Sequence, residues 1–353
     1  MSDTPKFTVI LSGYQTEPYL PKSLASIARQ TYTDFEAICY VETSTDASLE
    51  LCQEYARRDP RFKIGTGPKS GAVATTRNYG IDHAIGEYLV AIDGDDWLDE
   101  RMLEKLARKL NSTGPVDVLA FAAVTTEAEE VDMAKASKLT NFRPSDAEGV
   151  FTGQEAIRRV ANHAGNICNF TWLNAYRTAF LREHKLYQSD GLLMEDVEHT
   201  PRVWFMAEKF AYLDETLYVY RRRPNSLTTE ASPRILHDLA LQLRSLMEFA
   251  ATHQIPGDIM AIWSNQWVVF LYWFMFHPVT SRKMSSEDRQ RALETLFAGE
   301  GKARFQKLAV NLSLPKRMAI PLIYLAAKGI IFPAMLFFRC LYYPLNKMRS
   351  ARG

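Results

Sequence analysis

The chain has 353 residues, with 42 Lys+Arg against 41 Asp+Glu for a formal net charge of +1. That length supplies core for one large domain and an appended smaller one, and the balanced charge excludes bulk electrostatic attraction to nucleic acid or an acidic polymer. The 4 cysteines, Cys39, Cys52, Cys168 and Cys340, form no CxxC pair and no close Cys/His spacing, which argues against a zinc site or a disulfide framework and for a reducing, cytosolic-side protein. The opening "MSDTPKFTVILSGY" has a charged start and a short apolar run that reads as a first strand, not a secretion leader.

Phe7 to Leu11 is β-rich and ends in a Ser12-Gly13 turn, and "YLPKSLASIARQTY" carries Leu20, Leu24, Ile27 and Ala28 at helical spacing. "FEAICYV" predicts a second strand, and "ETSTDAS" offers Thr and Asp side chains to cap the helix "LELCQEYARR". "RFKIGTG" predicts a third strand, "AVATTRNYGIDHAI" a helix closed by Gly86, and "EYLVAI" a fourth strand. A helix from Asp99 through Leu110 and a fifth strand from Val116 to Val124 follow. Such alternation predicts an α/β architecture with a parallel or mostly parallel sheet.

Ligands of open sheets sit beyond the carboxyl ends of the strands, and "GEYLVAIDGDDWLDE" puts Asp93, Asp95 and Asp96 at such an end. Three adjacent carboxylates repel and lose hydration unless a cation or donors answer them. Either a solvated acidic turn caps the next helix, or the hard oxygens hold a divalent ion such as Mg²⁺ or Mn²⁺. Trp97 reads as a core plug. A second acidic pair, Glu195 and Asp196 in "GLLMEDVEHTPRVWFMAEK", precedes a predicted helix. Its readings are an acidic first turn favoured by the helix dipole and a general base, and the two are compatible. His199 reads as a surface or core histidine. Arg221, Arg222 and Arg223 stand in a row, as a solvated loop or as a diphosphate clamp.

Taken in order, "VILSGYQTEPYLPKSLASIARQTYTDFEAICY", "STD", "GAVATTRNYGIDHAIGEYLVAIDGDDW", "MEDVEH" and "LYVYRRRPNSLT" resemble the inverting family 2 glycosyltransferases of GT-A fold. The resemblance implies a Rossmann-like nucleotide-diphospho-sugar transferase domain over residues 1–230, with a nucleotide-sugar half at about 1–125 and an acceptor half at about 126–230. It implies a UDP-sugar donor and a divalent metal, Mn²⁺ or Mg²⁺, with Asp95 on the metal and Asp93 on metal or ribose. Asp96 would support the loop or order the acceptor. Arg77 and Asn78 resemble the Arg-Asn pair beside the nucleotide, where Arg77 would meet phosphate or orient the aspartates. Ser12 to Glu17 resembles the loop lining the nucleotide pocket, with Tyr14 available to stack on a base. Glu42 stands where the family carries a uracil-binding aspartate. Asp196 matches the catalytic base, with Glu195 its neighbour or an acceptor ligand. Arg223 stands where many members have the histidine of Tyr-Arg-x-His-x-x-Ser, which implies a cation at the leaving group in place of a histidine ligand. Trp172, in "NFTWLNAYRTAFLREHKL", would stack on an acceptor sugar or pack in the core.

Residues 231–353 shift to helical patterns: "RILHDLALQLRSLMEFAATH" is amphipathic, and "IMAIWSNQWVVFLYWFMFHP" is dense in aromatic residues. The last segment approaches the roughly 20 apolar residues of a spanning helix, but Pro321, Lys328, Pro333 and Arg339 interrupt it. Lys316 and Arg317 precede it and Lys347, Arg349 and Arg352 follow. Positive charge at both ends disfavours one crossing. Kinked helices in the cytoplasmic leaflet of the cell membrane, or a re-entrant hairpin, over about 315–348 fit better, with a buried helix pair as the soluble alternative. By the same resemblance the acceptor is a saccharide, polyprenyl-linked, in bacterial cell-surface polysaccharide or glycan synthesis. One sugar is added per encounter, because no Gln-x-x-Arg-Trp processivity motif is present. Two other classes are a nucleotidyltransferase, which would need a Gly-rich basic loop where "LSGYQTEPYL" offers only Gly13, and an inactive membrane-bound scaffold, which would have lost the base.

Overall fold

The computed structural model describes residues 4–133, 135–163, 169–223, 232–276 and 284–303. The chain divides into two compact units, Met1–Arg223 and Pro224–Gly353. The sequence had suggested a boundary at 230/231.

The first unit opens with strands β1 (Phe7–Gly13), β2 (Phe35–Glu42), β3 (Phe62–Gly67) and β4 (Tyr88–Asp93), joined by helices α1 (Leu20–Ala28), α2 (Ser48–Arg58) and α3 (Ala74–His83). These strands pair in parallel in the order β3-β2-β1-β4. β2 is buried along its whole length, as expected of a strand covered by helices on both faces. α3 ends at His83, ahead of the expected Gly86 cap. Gly86 serves a different need: a Cβ there would lie 2.4 Å from the backbone of Phe7 and Thr8, where the chain enters β4.

The chain continues through β5 (Trp97–Leu98), α4 (Met102–Thr113), β6 (Val118–Thr126), β7 (Lys138–Leu139), α5 (Gly153–His163), β8 (Asn174–Arg177), α6 (Thr178–Glu183), α7 (Asp196–Met206) and β9 (Phe210–Arg221). The sheet grows to the order β3-β2-β1-β4-β8-β6-β9-β5, with β7 on β6. β8 runs antiparallel to both β4 and β6, whereas β6 and β9 are parallel. The sheet is therefore mixed. The predicted fifth strand exists as β6, but β8 stands between it and β4, so one sheet runs through both expected halves of the domain.

In the second unit, α8 (Pro233–Thr252) starts at Ser232, whose hydroxyl accepts the Ile235 N–H at 3.3 Å. It is followed by α9 (Gly257–Phe276) and α10 (Ser286–Phe297), the latter opened by a reciprocal Ser285–Asp288 capping box. Both pack on α8. Among the described residues no helix is long and apolar enough to cross a membrane. The segment at about 315–348 lies outside the described residues.

Candidate active site

The carboxyl ends of β1 and β4 are level, with Ser12 opposite Asp93 in the parallel ladder. The turn after Asp93 folds back on β1: Gly94 N–H donates to the Ser12 carbonyl at 2.9 Å, and Asp96 N–H to the Asp93 carbonyl at 3.0 Å. A Cβ on Gly94 would lie 2.8 Å from the Ser12 carbonyl oxygen, so the approach requires glycine. Ser23 of α1 donates its hydroxyl to the Gly94 carbonyl at 2.9 Å. From the other side, the Tyr218 hydroxyl of β9 accepts the Asp93 N–H at 3.2 Å and donates to Asp96 Oδ2 at 2.5 Å. Arg221 N–H donates to Asp96 Oδ1 at 2.8 Å, and Arg221 Nε to the Asp95 carbonyl at 2.9 Å.

The three aspartates thus differ. Asp96 is wholly buried, with both oxygens engaged. Its pKa lies well above the usual carboxylate range, chiefly through burial and then through the charges of Asp95 and Asp93. It has no surface for an acceptor, so the geometry matches only the loop-supporting half of its expected role. Asp95 Oδ2 receives Arg223 Nε at 2.6 Å. Burial raises the Asp95 pKa, Asp93 adds to the rise and Arg223 opposes it.

Arg77 joins this loop to the second acidic pair. From α3, at 5% exposure, it donates Nη2 to Asp93 Oδ1 at 3.1 Å and Nη1 to Glu195 Oε1 at 2.6 Å. Its Nε is buried without a partner in the structure. The guanidinium is thus held between carboxylates, the aspartate-orienting option of the two foreseen for it. Glu195 stands at the N-cap position of α7, and its pKa is raised by burial against the pull of Arg77. Asp196, half-buried in the first turn of α7, is pushed up to about 8, first by burial and then by the Glu195 charge. The aspartate loop and the Glu195–Asp196 pair, about 100 residues apart in sequence, are one constellation.

Asn78 does not line this constellation. Its side chain donates to the Gln188 carbonyl at 2.9 Å and accepts Gln188 N–H at 2.8 Å, tying α3 to the segment that leads into α7. His199 is a core histidine. Its Nε2–H donates to the Leu186 carbonyl at 2.9 Å, the tautomer this partner requires, and burial depresses its pKa to about 3, so it is neutral.

The remaining candidates flank the ends of β1 and β2. Glu17 Oε2 accepts Ala47 N–H at 2.9 Å while Glu17 N–H donates to Asp46 Oδ2 at 3.0 Å, which locks the loop after β1 to the start of α2. Tyr14 is half-buried, with Lys69 Nζ 4.5 Å from its ring centroid. Glu42, at the end of β2, is buried and receives the Ser70 hydroxyl. Ser12 Oγ is buried and has no partner in the structure.

Trp172 is a core residue. It stacks between Phe170 (centroids 4.7 Å apart) and Tyr218 (4.4 Å), so the packing alternative fits and the sugar-stacking one does not. Trp97 is buried as expected, with Lys22 Nζ 3.8 Å from its ring centroid. Sequence reasoning missed Tyr218 and Ser23. Tyr218 lies in "LYVYRRR", where the arginines drew attention; the signal available was the alternation of Tyr218 and Tyr220 on one face of a strand. An open depression of about 710 Å³ lies at the opposite, amino end of the sheet, beside Lys6, Glu87 and Arg182.

Among the described residues, no group of three or more His, Cys, Asp or Glu could hold a metal ion. A magnesium-like ion bound mainly through substrate phosphates needs only one or two protein carboxylates. Asp93 and Asp95, as hard oxygen donors at one strand end, fit that requirement.

Residues 8–166 match glycosyl transferase family 2. EpsJ of Bacillus subtilis (strain 168), an uncharacterized glycosyltransferase, is 29% identical over 227 residues, covering 64% of this chain and 63% of EpsJ. The crystal structure of S. aureus TarS 1-349 in complex with UDP-GlcNAc aligns with a TM-score of 0.71 at 20% identity, over 95% of this chain and 91% of that one. The mannosyltransferase PcManGT from Pyrobaculum calidifontis, in complex with GDP-Man and Mn²⁺, aligns at 0.50 and 16% identity over 95% and 88%. These structural likenesses speak to the fold.

Proposed function

We propose that the chain is an inverting, metal-dependent hexosyltransferase that moves one sugar from a UDP-sugar to a saccharide acceptor, lipid-linked, in cell-surface polysaccharide or glycan synthesis. The observation that supports this reading is Arg77, which binds Asp93 of the aspartate loop on one side and Glu195, the chain neighbour of the candidate base Asp196, on the other.

A divalent ion at Asp93 and Asp95 would neutralise the diphosphate as it departs. The protein's own part is positioning and proton transfer. Tyr218, Ser23 and the backbone of Arg221 hold the aspartate loop rigid, which avoids reorganisation during reaction. Arg77 opposes the rise that burial imposes on the Glu195 pKa, and the Glu195 charge raises the basicity of Asp196. A carboxylate whose conjugate acid has a pKa of about 8 is a stronger base than a free aspartate and is suited to accept the proton of an acceptor hydroxyl. Attack by that hydroxyl opposite the diphosphate is a single displacement and inverts the anomeric carbon. Glu42 with Ser70, Ser12 and Tyr14 supply the nucleoside side, and the TarS complex with UDP-GlcNAc supports uridine as the base. The apolar segment at about 315–348, flanked by Lys and Arg, supports attachment to the cytoplasmic face of the membrane.

A donor panel read by thermal shift tests the reading. Ligands at about 100-fold their Kd stabilise by about 2.7 kcal/mol, so UDP-hexoses should raise the melting temperature by several degrees with Mn²⁺ and far less without it. A response to no UDP-sugar under either condition would refute the proposal.

A further inference from the structure

The aspartate site carries its own cations. Arg77 Nη2 lies 3.1 Å from Asp93 Oδ1, and Arg223 Nε lies 2.6 Å from Asp95 Oδ2, so each carboxylate suited to a metal is already paired. The two guanidiniums differ in freedom. The Arg77 side chain is 5% exposed and is fixed from its far side by Glu195 at 2.6 Å. The Arg223 side chain is 30% exposed, and beyond Asp95 it meets the ring of Tyr19, with 5.4 Å to the centroid. Arg223 is therefore the one that can leave.

Charge balance says when it leaves. A free divalent ion approaching Asp95 meets a carboxylate already neutralised by a guanidinium, and the ion and Arg223 then repel across one anionic group. A nucleoside diphosphate changes that balance. Its oxygens offer a planar guanidinium two acceptors, and its negative charge accompanies the ion into the site.

We propose that Arg223 is the resident cation of Asp95 and exchanges partners on donor binding: the diphosphate takes Arg223, which frees Asp95 for the ion that arrives with it. The inference rests on the donor-site reading above. Metal and nucleotide then bind as a couple, each tightening the other by the same factor, and Arg223 faces the leaving diphosphate during transfer.

The test is Mn²⁺ binding to the full-length chain, read from the electron paramagnetic resonance signal of free Mn²⁺ with and without UDP. In the wild type, UDP should tighten Mn²⁺ binding at least ten-fold. In Arg223→Gln, checked for native circular dichroism, Mn²⁺ alone should bind at least ten-fold more tightly than in the wild type, and the effect of UDP should shrink. Arg223→Lys, which keeps a cation, should retain most of the coupling. Asp95→Asn should lose Mn²⁺ binding in every condition; unchanged binding there overturns the proposal. Equal nucleotide-free affinity in wild type and Arg223→Gln also overturns it. A wild type that binds UDP while its Mn²⁺ affinity ignores UDP sinks the partner exchange alone, and this arm stands even if the glutamine variant fails to fold. A wild type that binds no UDP in any condition sinks the donor reading together with it.

Discussion

At the scale of single residues, the site is a cluster of carboxylates, three of them paired with arginines, and the electrostatics of that arrangement is testable. Asp196 has its pKa raised from 3.8 to about 8, so as a base it works only above that value: kcat/KM should rise with pH and level off above about pH 8. A profile flat from pH 6 to 9 would contradict its role. The linkage has a definite sign. A carboxyl whose folded pKa is raised contributes stability that is complete below the unfolded value and is lost as pH rises through the folded one. Urea unfolding should therefore show wild-type stability falling between about pH 4 and pH 8 relative to Asp196→Asn, in which this dependence is absent. Arg77 makes a second case. Removing one partner of a buried ion pair costs about 3–5 kcal/mol, because the other charges are left uncompensated. Arg77→Met should lose about that much in urea unfolding; a loss below about 1 kcal/mol would mean that Asp93 and Glu195 do not depend on it. The acidic residues themselves were legible from sequence because charge at a strand end demands an answer. That Asp96 turns inward and Asp95 outward was not, since the choice is made by Tyr218 and Arg221, more than 120 residues away.

At the scale of elements, the first four strands and their helices could be read because each is local: an apolar run, a turn and an amphipathic stretch. β8 and β9 escaped that reading. β8 is four residues long and earns its place only by pairing with β4 and β6, a long-range condition that no local pattern announces. β9 was hidden because acidic residues interrupt its alternation and a row of arginines closes it, yet it supplies the hydroxyl that holds the aspartate loop. Tyr218→Phe keeps the ring stacked on Trp172 and removes only that hydroxyl. Stability should fall by about 1–3 kcal/mol, the cost of leaving a buried group unsatisfied, and kcat should fall while the circular dichroism spectrum stays native. An unchanged kcat would show that the loop does not need the brace.

At the scale of the whole molecule, the two compact units separate a sheet that holds the chemistry from a helical region whose last segment has the composition of a membrane anchor. The full-length chain should co-sediment with vesicles containing anionic lipid, and less so at high salt, because clustered Lys and Arg near the segment ends act through a screened attraction. A chain that stays in the supernatant at low salt would contradict membrane attachment. Composition made α8 and α9 legible, since 20-residue amphipathic and apolar stretches announce themselves, whereas the shorter α10 did not stand out.

The central claim is that one site holds a carboxylate for the donor's metal and a separate carboxylate for the acceptor's proton. The most direct measurement is release of UDP from a UDP-hexose with Mn²⁺, alongside UDP binding, in wild type, Asp95→Ala and Asp196→Asn. The account predicts that Asp95→Ala loses both binding and turnover, whereas Asp196→Asn binds UDP as the wild type does and loses about 10²–10⁴-fold in turnover. Wild-type turnover by Asp196→Asn, or intact metal-dependent binding by Asp95→Ala, would contradict it.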